Sequence, residues 1–314
     1  MSAEGVDHRL LVYEDPAAFV GEATAFLREG LRAGDRILAA ATTEKHGWLR
    51  DELGGDAGAI DFMDADALYA RHGPMFRDLM EYIRRHGTRG HGRVRIIAEQ
   101  SLARRSPADR QAYLRYEAAA NAAYRAYDVA VLCPYDGARL PDDVLEDALR
   151  THPEVVVDGR ATPNERFEDP RTFVRTSAPG RAPERASPAY VLDGPESLVG
   201  ARTLVRAQVA AAGFVGRAAD DLVLAVTEIA TNALVHGDAP RQLWSYLDDG
   251  RLVFQVRDAG AALPDPLTGY LPPDPDRLDG RGLWLAHQLC DIVEVGGDST
   301  RTDVLLHVRL PVAV

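Results

Sequence analysis

Apolar and polar residues along the first half of the chain alternate between short apolar runs and longer segments of helical period. The short runs predict strands at 9–13, 36–41, 59–63, 94–99 and 128–133. The longer segments predict helices at 16–31, 43–53, 74–86, 107–124 and 141–150. Strands and helices that follow one another in this βαβ order predict a mostly parallel sheet covered by helices on both faces.

Polar residues mark the starts of several of these helices. Asp15 precedes Pro16, and Ser106 precedes Pro107, so each pair supplies a side-chain acceptor and then a proline at the first helical position. Thr43 is the predicted cap of the helix that ends at Leu53. These caps fix where the predicted helices begin.

The second half of the chain has a different order of elements. A strand at 189–192 precedes two consecutive predicted helices at 195–212 and 216–236. Strands at 242–247 and 252–257 follow, a further helix begins at residue 281, and two strands close the chain at 292–295 and 303–310. Asp248-Asp249-Gly250 predicts a hairpin turn between the first pair of strands. We expect an α/β sandwich, with helices on one face of a mixed or antiparallel sheet.

Prolines set the stretch between these halves apart. Residues 159–187 contain scattered charge and little periodicity, which predicts a linker. The predicted domains are therefore residues 1–158 and 188–314.

Composition narrows the functional classes. The chain has 314 residues, with 46% hydrophobic and 27% charged, as in globular proteins. The sequence contains no stretch of about 18 apolar residues, so we expect no membrane span. The net charge of −12 and the absence of a basic recognition helix argue against direct DNA binding. Two distant cysteines and no secretory signal lead us to expect a cytoplasmic protein.

Candidate chemistry begins on the helix at 216–236. Glu228 and Asn232 are four residues apart, so they share one face beside an apolar stripe. An Asn amide oxygen is a suitable ligand for Mg²⁺, and a carboxylate one turn earlier can accept a hydroxyl proton. The alternative is a solvated glutamate and a hydrogen-bonded asparagine on a surface helix.

Two glycine-containing motifs follow on other elements. Asp258-Ala259-Gly260 ends an alternating strand. A carboxylate there can accept a hydrogen bond from the amino group of adenine, and a glycine lets the adenine ring approach the backbone. Gly280-Arg281-Gly282-Leu283 opens a helix, whose exposed N–H groups suit phosphates. An ordinary turn and an ordinary helix cap are the respective alternatives.

The three motifs in this order resemble the GHKL ATPases, which have the Bergerat nucleotide-binding fold. Residues 227–237, TEIATNALVHG, resemble the N box of bacterial anti-sigma factor serine kinases more than that of sensor histidine kinases. The resemblance implies ATP and Mg²⁺ as cofactors. It implies that Asn232 binds the metal ion, that Glu228 is the general base and that Asp258 holds adenine. The residues implied to shape the rest of the nucleotide site are Gly260, Gly280, Arg281, Gly282 and Leu283. One departure is Ala262, which stands where a fuller first glycine box, Asp-x-Gly-x-Gly, often has its second glycine.

The resemblance also implies partners. The expected activity is phosphorylation of a serine or threonine on an anti-anti-sigma protein of the STAS type, with sequestration of a sigma factor and partner switching. Dimerisation is a further feature of the branch resembled. An ATP-gated binding module without kinase activity is the alternative, and a sensor histidine kinase is a weaker one, since no histidine on a dimerising helical hairpin precedes the domain.

The first half, over roughly residues 6–158, resembles the MEDS sensory domain. The resemblance is carried by residues 9–15, 26–34 and 133–136 and by His152-Pro153. It implies that this domain senses a small molecule or a protein state. Polar and aromatic candidates to line a ligand site are His8, Tyr13, Glu99, Tyr116, Glu117 and Cys133. The histidines show no metal-ligand spacing, and Cys133 at the end of an apolar strand predicts a buried, inert thiol.

Overall fold

The computed structural model describes residues 6–87, 92–99, 101–178, 189–261, 263–273 and 280–311. The chain folds into two compact units, one formed mainly by the residues before Val174 and the other mainly by the residues from Val174 onward. Each unit has its own sheet.

The N-terminal unit contains a seven-stranded sheet in the order β3-β2-β4-β5-β1-β6-β7. All neighbouring strands are parallel except β6 and β7, which are antiparallel. The strands are β1 (Asp7–Tyr13), β2 (Arg36–Ala41), β3 (Ile60–Asp64), β4 (Val94–Ala98), β5 (Val129–Asp136), β6 (Glu154–Val157) and β7 (Arg160–Pro163). The helices are α1 (Pro16–Ala33), α2 (Thr43–Leu53), α3 (Ala65–Leu68), α4 (His72–His86), α5 (Pro107–Tyr124), α6 (Asp142–Thr151) and α7 (Pro170–Ser177).

Helices cover both faces of this sheet, as the sequence predicts. On one face, apolar residues of α1 and α2 form a core with residues of the central strands. On the other face, α5 lies against β1 and β5. Asn121 of α5 contacts His8 of β1, and Glu117 of α5 contacts Cys133 of β5. The alternation of side chains along β1 and β5 thus sends one set to each layer of helices.

Two sequence predictions in this unit need correction. The cap of α2 is Thr42, not Thr43, because the Thr42 hydroxyl accepts the Lys45 N–H at 3.4 Å. Regular structure also occurs inside the predicted linker at 159–187, where β7 pairs with β6 and α7 follows. Both elements are short, and each contains a proline, Pro163 in β7 and Pro170 in α7, which favours the prediction of a linker. The Asp158-Gly159 turn, with positive φ at both residues, is the hairpin signal that the sequence analysis missed.

The second unit has a five-stranded antiparallel sheet in the order β11-β12-β10-β9-β8. Its strands are β8 (Tyr190–Val191), β9 (Gln242–Asp248), β10 (Arg251–Asp258), β11 (Ile292–Gly297) and β12 (Thr302–Arg309). Its helices are α8 (Ser197–Ala211), α9 (Gly216–His236) and α10 (Arg281–Leu289). Asp249 and Gly250 have φ values of 44° and 69°, the left-handed conformation that a tight hairpin between β9 and β10 requires.

One apolar layer joins helices and sheet in this unit. Leu222, Val226 and Ile229 of α9 pack with Phe254 of β10 and Leu306 of β12, all of which are buried. The core forms because the apolar stripe of α9 faces the alternate apolar residues of the strands. The predicted α/β fold, a parallel-rich sheet followed by a helix-covered sandwich, is confirmed.

Among the described residues, the structure contains no helix with the length and apolar character needed to cross a membrane.

Candidate functional site

The candidate site of the second unit begins on α9. The buried stripe of this helix turns Leu222 and Val226 toward the sheet, which leaves Glu228 and Asn232 half-buried on an adjoining side. The two side chains project one turn apart, as their spacing requires. A carboxylate and an amide oxygen therefore lie together at one place on the domain.

Gly282 in the first turn of α10 lies directly against this pair. A Cβ atom at residue 282 would lie 3.0 Å from Asn232 Nδ2 and 3.2 Å from Glu228 Oε2. Contacts this short mean that any side chain at residue 282 would have to push Asn232 or Glu228 aside, so a glycine suits the place where α10 approaches α9. The fold thus brings together residues that are far apart in the sequence.

The start of α10 has the geometry of an anion-binding helix terminus. Gly280 is its N-cap residue and has φ of 79°, a left-handed conformation that glycine adopts without strain. Gly280 has no side chain to cap the first N–H groups of the helix, which point outward from its positive end. Arg281 is exposed, whereas Leu283 is buried in the core and anchors the helix.

Asp258 forms the second part of the site, at the end of β10. Its side chain is buried, and its Oδ1 accepts the Gly260 N–H at 2.7 Å. Burial raises the pKa of the Asp258 carboxyl above its ordinary value, against the opposing effects of the Gly260 N–H and of Arg241. Asp238 and Asp303 add to the rise in this pKa through their negative charge.

Gly237 shapes the surroundings of Asp258 and is not among the site residues predicted from the sequence. A Cβ atom on Gly237 would lie 2.3 Å from Asp258 Cγ, so only a glycine permits this approach. Gly237 directly follows α9 and therefore links the Asp258 region to the helix that carries Glu228 and Asn232. The sequence signal for this position is a glycine at the end of a predicted helix, in His236-Gly237. A glycine there is equally typical of an ordinary helix end, so it does not by itself indicate a site residue.

A threonine that sequence reasoning also missed holds the loop after β10. The Thr302 hydroxyl lies 3.3 Å from the carbonyl oxygen of Gly260 and 3.0 Å from that of Ala261, either of which can accept its hydrogen bond. Thr302 pairs with Asp258 across the β10–β12 ladder, which explains how it reaches that loop. No sequence motif marks this position.

The predicted site residues therefore fall into two neighbouring groups. Gly282 lies beside the side chains of Glu228 and Asn232, and Gly280, Arg281 and Leu283 belong to the same start of α10. Asp258 and Gly260 form the other group around Gly237. Ala262 and residues 274–279 of the intervening loop lie outside the described residues.

Comparisons with known proteins identify both units. Residues 7–153 match the family described as MEDS, the methanogen/methylotroph DcmR sensory domain. Residues 193–307 match the family of histidine kinase-like ATPase domains. The chain carries a MEDS domain and a histidine kinase-like ATPase domain. Both resemblances seen in the sequence are thus confirmed at the level of these families.

Two solved structures are similar to parts of the chain. The RsbU and RsbW domains of Rv1364c from Mycobacterium tuberculosis share 20% identity over 40% of this chain and 33% of that one, with a TM-score of 0.30. The histidine kinase domain of a blue-light activated histidine kinase from Erythrobacter litoralis shares 18% identity over 54% of this chain and 81% of that one, with a TM-score of 0.24. The search of curated proteins gave no match.

Proposed function

We propose that the ATPase domain binds Mg-ATP between α9, the end of β10 and the first turn of α10, and transfers a phosphoryl group to a serine or threonine of a STAS-type partner. The observation that carries this proposal is the contact of Gly282 with both Glu228 and Asn232. It places a helix N-terminus beside a carboxylate and an amide oxygen, which are the groups that phosphoryl transfer requires.

The residues present fit Mg-ATP. The Asn232 amide oxygen is a hard ligand of the kind that Mg²⁺ takes, and the first N–H groups of α10 suit phosphate oxygens. The Asp258 carboxylate uses Oδ1 for the Gly260 N–H, so Oδ2 is the oxygen for the adenine amino group. Gly237 and Gly260 keep side chains away from this carboxylate, which leaves space for a flat base.

Each residue has a separate part in the proposed reaction. Mg-ATP, when bound, supplies the phosphoryl group and partly neutralises its charge. The α10 N-terminus orients the phosphates, and Asn232 holds the metal in position. Glu228, which lies beside Asn232, accepts the proton of the incoming hydroxyl at a carboxylate oxygen.

The proposed partners are inferred from the sequence of the N box. TEIATNALVHG at 227–237 resembles the anti-sigma factor kinases, so we propose that the chain also sequesters a sigma factor and releases it when a STAS-type partner competes. In this proposal the MEDS domain senses the signal that determines whether the chain binds the sigma factor or the STAS-type partner.

Transfer of labelled γ-phosphate from Mg-ATP to proteins of a cell extract tests the proposal. Removing the general base by Glu228→Ala should reduce transfer by roughly 10²–10⁴-fold while ATP affinity stays unchanged. Asp220→Ala is the matched control, because Asp220 is an exposed acid on the first turns of the same helix and should leave transfer unchanged.

The chemistry of the labelled product separates the alternatives. An acid-stable phosphoprotein formed by the wild type supports a serine or threonine kinase, whereas acid-labile label indicates a histidine kinase. ATP binding without any transfer would instead establish a nucleotide-gated binding module. Equal transfer by wild type and Glu228→Ala would remove Glu228 from its proposed part.

A further inference from the structure

Four potential metal ligands meet in the interior of the MEDS domain. They are His8, Glu117, Cys133 and His152, and one ligand atom from each lies within 4.8 Å of all the others. Every one of these side chains is buried, and two are completely inaccessible to solvent. Burying a carboxylate, a thiol and two imidazoles is costly unless something compensates their polarity.

The cluster is assembled from four elements that the fold brings together. His8 lies on β1 and Cys133 on the neighbouring strand β5, both on the face covered by α5. Glu117 projects from α5, and His152 directly follows α6 as its C-cap residue. The sequence shows no metal-ligand spacing because the four residues come from separate parts of the chain and form no local motif.

Four of the six separations among these ligand atoms are close to the edges of a coordination tetrahedron. Glu117 Oε2 lies 3.1 Å from His8 Nε2, 3.4 Å from His152 Nε2 and 3.7 Å from Cys133 Sγ. His8 Nε2 lies 3.3 Å from Cys133 Sγ. Ordinary zinc bond lengths give tetrahedral edges of about 3.4 Å between nitrogen or oxygen ligands and about 3.6 Å to sulfur. The atoms thus surround one ion-sized position.

Hydrogen bonds outside the cluster aim both imidazoles at this position. Asn121 donates its amide N–H groups to backbone carbonyls, one of them that of Thr151 at 2.8 Å, so its oxygen faces His8. That oxygen accepts from His8 Nδ1 at 3.0 Å. The carbonyl of Ala148 accepts from His152 Nδ1 at 2.8 Å. With Nδ1 protonated in both rings, each Nε2 presents its lone pair to the cluster.

The carboxylate is oriented in the same manner. The Tyr113 hydroxyl donates to Glu117 Oε1, which leaves Oε2 for the central position. Support of this kind, with carbonyl, amide and hydroxyl groups behind the ligands, is characteristic of metal centres. A cavity of 20 Å³ lined by Tyr69, Tyr116 and Tyr124 adjoins Glu117 and Cys133, which is room for about one water molecule.

We propose that His8, Glu117, Cys133 and His152 bind one zinc-type divalent transition-metal ion in the core of the MEDS domain. Two imidazoles, one thiolate and one carboxylate in tetrahedral arrangement favour Zn²⁺ over Mg²⁺ or Ca²⁺, which take oxygen ligands. On binding, the Cys133 S–H bond breaks, the sulfur forms a bond to the metal, and the proton leaves to solvent. The thiol is therefore a metal ligand rather than an inert core residue.

The test uses the full-length protein, stripped of metal with a chelator and titrated with Zn²⁺ and separately with Co²⁺. We expect one ion per chain and, with Co²⁺, the visible bands of tetrahedral cobalt with a thiolate-to-cobalt charge-transfer band. The chain has two cysteines, so Cys290→Ser, which replaces the buried cysteine of the other domain, should keep that band. A band in this variant can come only from Cys133.

Two further variants complete the test. Cys133→Ser should lose the charge-transfer band, and His152→Gln should weaken Zn²⁺ binding by more than the roughly 10–100-fold that follows loss of a supporting hydrogen bond. His46→Gln is the matched control, because His46 is a buried imidazole of the same domain outside the cluster. The Zn²⁺ affinity of this variant should equal that of the wild type. Folded wild-type protein that takes up no Zn²⁺ or Co²⁺, or a Cys290→Ser protein that binds Co²⁺ without a thiolate band, would overturn the proposal.

Discussion

Asp258 shows how far a single residue can be understood from the sequence. Its place at the end of an alternating strand, two residues before a glycine, predicted a carboxylate next to exposed backbone. The structure adds that the side chain is buried and that Gly237 lies against it. Neither fact follows from the motif, because Gly237 belongs to a different element.

The raised pKa of Asp258 predicts a particular pH dependence of stability. Because burial raises this pKa in the folded chain above the ordinary aspartate value of about 3.9, the protonated carboxyl favours folding at low pH. That contribution is lost as pH rises through the folded-state pKa, and the ionised group then costs stability. Asp258→Asn, whose oxygen can still accept the Gly260 N–H, should therefore gain stability relative to wild type as pH increases.

Urea unfolding of the nucleotide-free proteins at a series of pH values from about 4 to 7 measures this difference. The free energy of unfolding of Asp258→Asn minus that of wild type should increase with pH and then level off. A difference that is constant, or that decreases toward neutral pH, would show that Asp258 is not destabilised by its burial.

The buried cluster of His8, Glu117, Cys133 and His152 is the clearest limit of sequence reasoning at this scale. Three of these residues could be named as polar candidates near predicted elements, but their mutual distances depend on how β1, β5, α5 and α6 pack. Non-local contacts of this kind leave no period or spacing in the sequence. Only the folded chain shows that they converge.

At the scale of elements, the contact between α9 and α10 organises the candidate nucleotide site. The helical spacing of Glu228 and Asn232 predicted their common face, and the glycines before α10 predicted an open helix start. Their proximity was an expectation from the family resemblance alone. The structure places Gly282 where an added Cβ atom would lie 3.0 Å from the Asn232 side chain and 3.2 Å from the Glu228 side chain.

Gly282→Ala is expected to disturb this contact. The added methyl group must displace Asn232 or Glu228 by a few tenths of an ångström, and we expect Mg-ATP affinity to fall about tenfold, or about 1.4 kcal/mol. Gly21→Ala in α1 is the matched control, because a Cβ atom there meets nothing within 4 Å. That change should leave ATP affinity unchanged and stabilise the protein by about 0.4–1 kcal/mol. Calorimetric titration and thermal unfolding measure the two effects, and equal ATP affinity for both variants would contradict the contact's importance.

Long elements were predicted well, whereas two of the short strands were missed. Helix α9 has its predicted bounds, and the β9–β10 hairpin has the predicted turn, because a long apolar stripe and an Asp-Gly pair are strong local signals. Strands β6 and β7 have four residues each, too few to establish an alternation. Their hairpin also lies in a stretch whose prolines suggested a linker.

For the molecule as a whole, the order of elements along the chain predicts two different sheets. Alternating strands and helices correspond to the parallel sheet of the MEDS domain, and paired helices followed by hairpins correspond to the antiparallel sheet of the ATPase domain. The order of the motifs also predicted the nucleotide-binding family, and the match over residues 193–307 confirms that family. The metal centre that we propose, by contrast, depends on tertiary packing alone.

Calorimetric titration of Mg-ATP into the full-length protein tests the central claim most directly. Wild type should bind one Mg-ATP, and Asp258→Asn should bind it roughly 10–100-fold more weakly, because a hydrogen bond to a charged acceptor contributes about 1.5–3 kcal/mol. Asp220→Asn, which changes an exposed aspartate on α9, should match the wild type. No binding by folded wild type, or equal binding by Asp258→Asn, would contradict a nucleotide site built on Asp258, Asn232 and the first turn of α10.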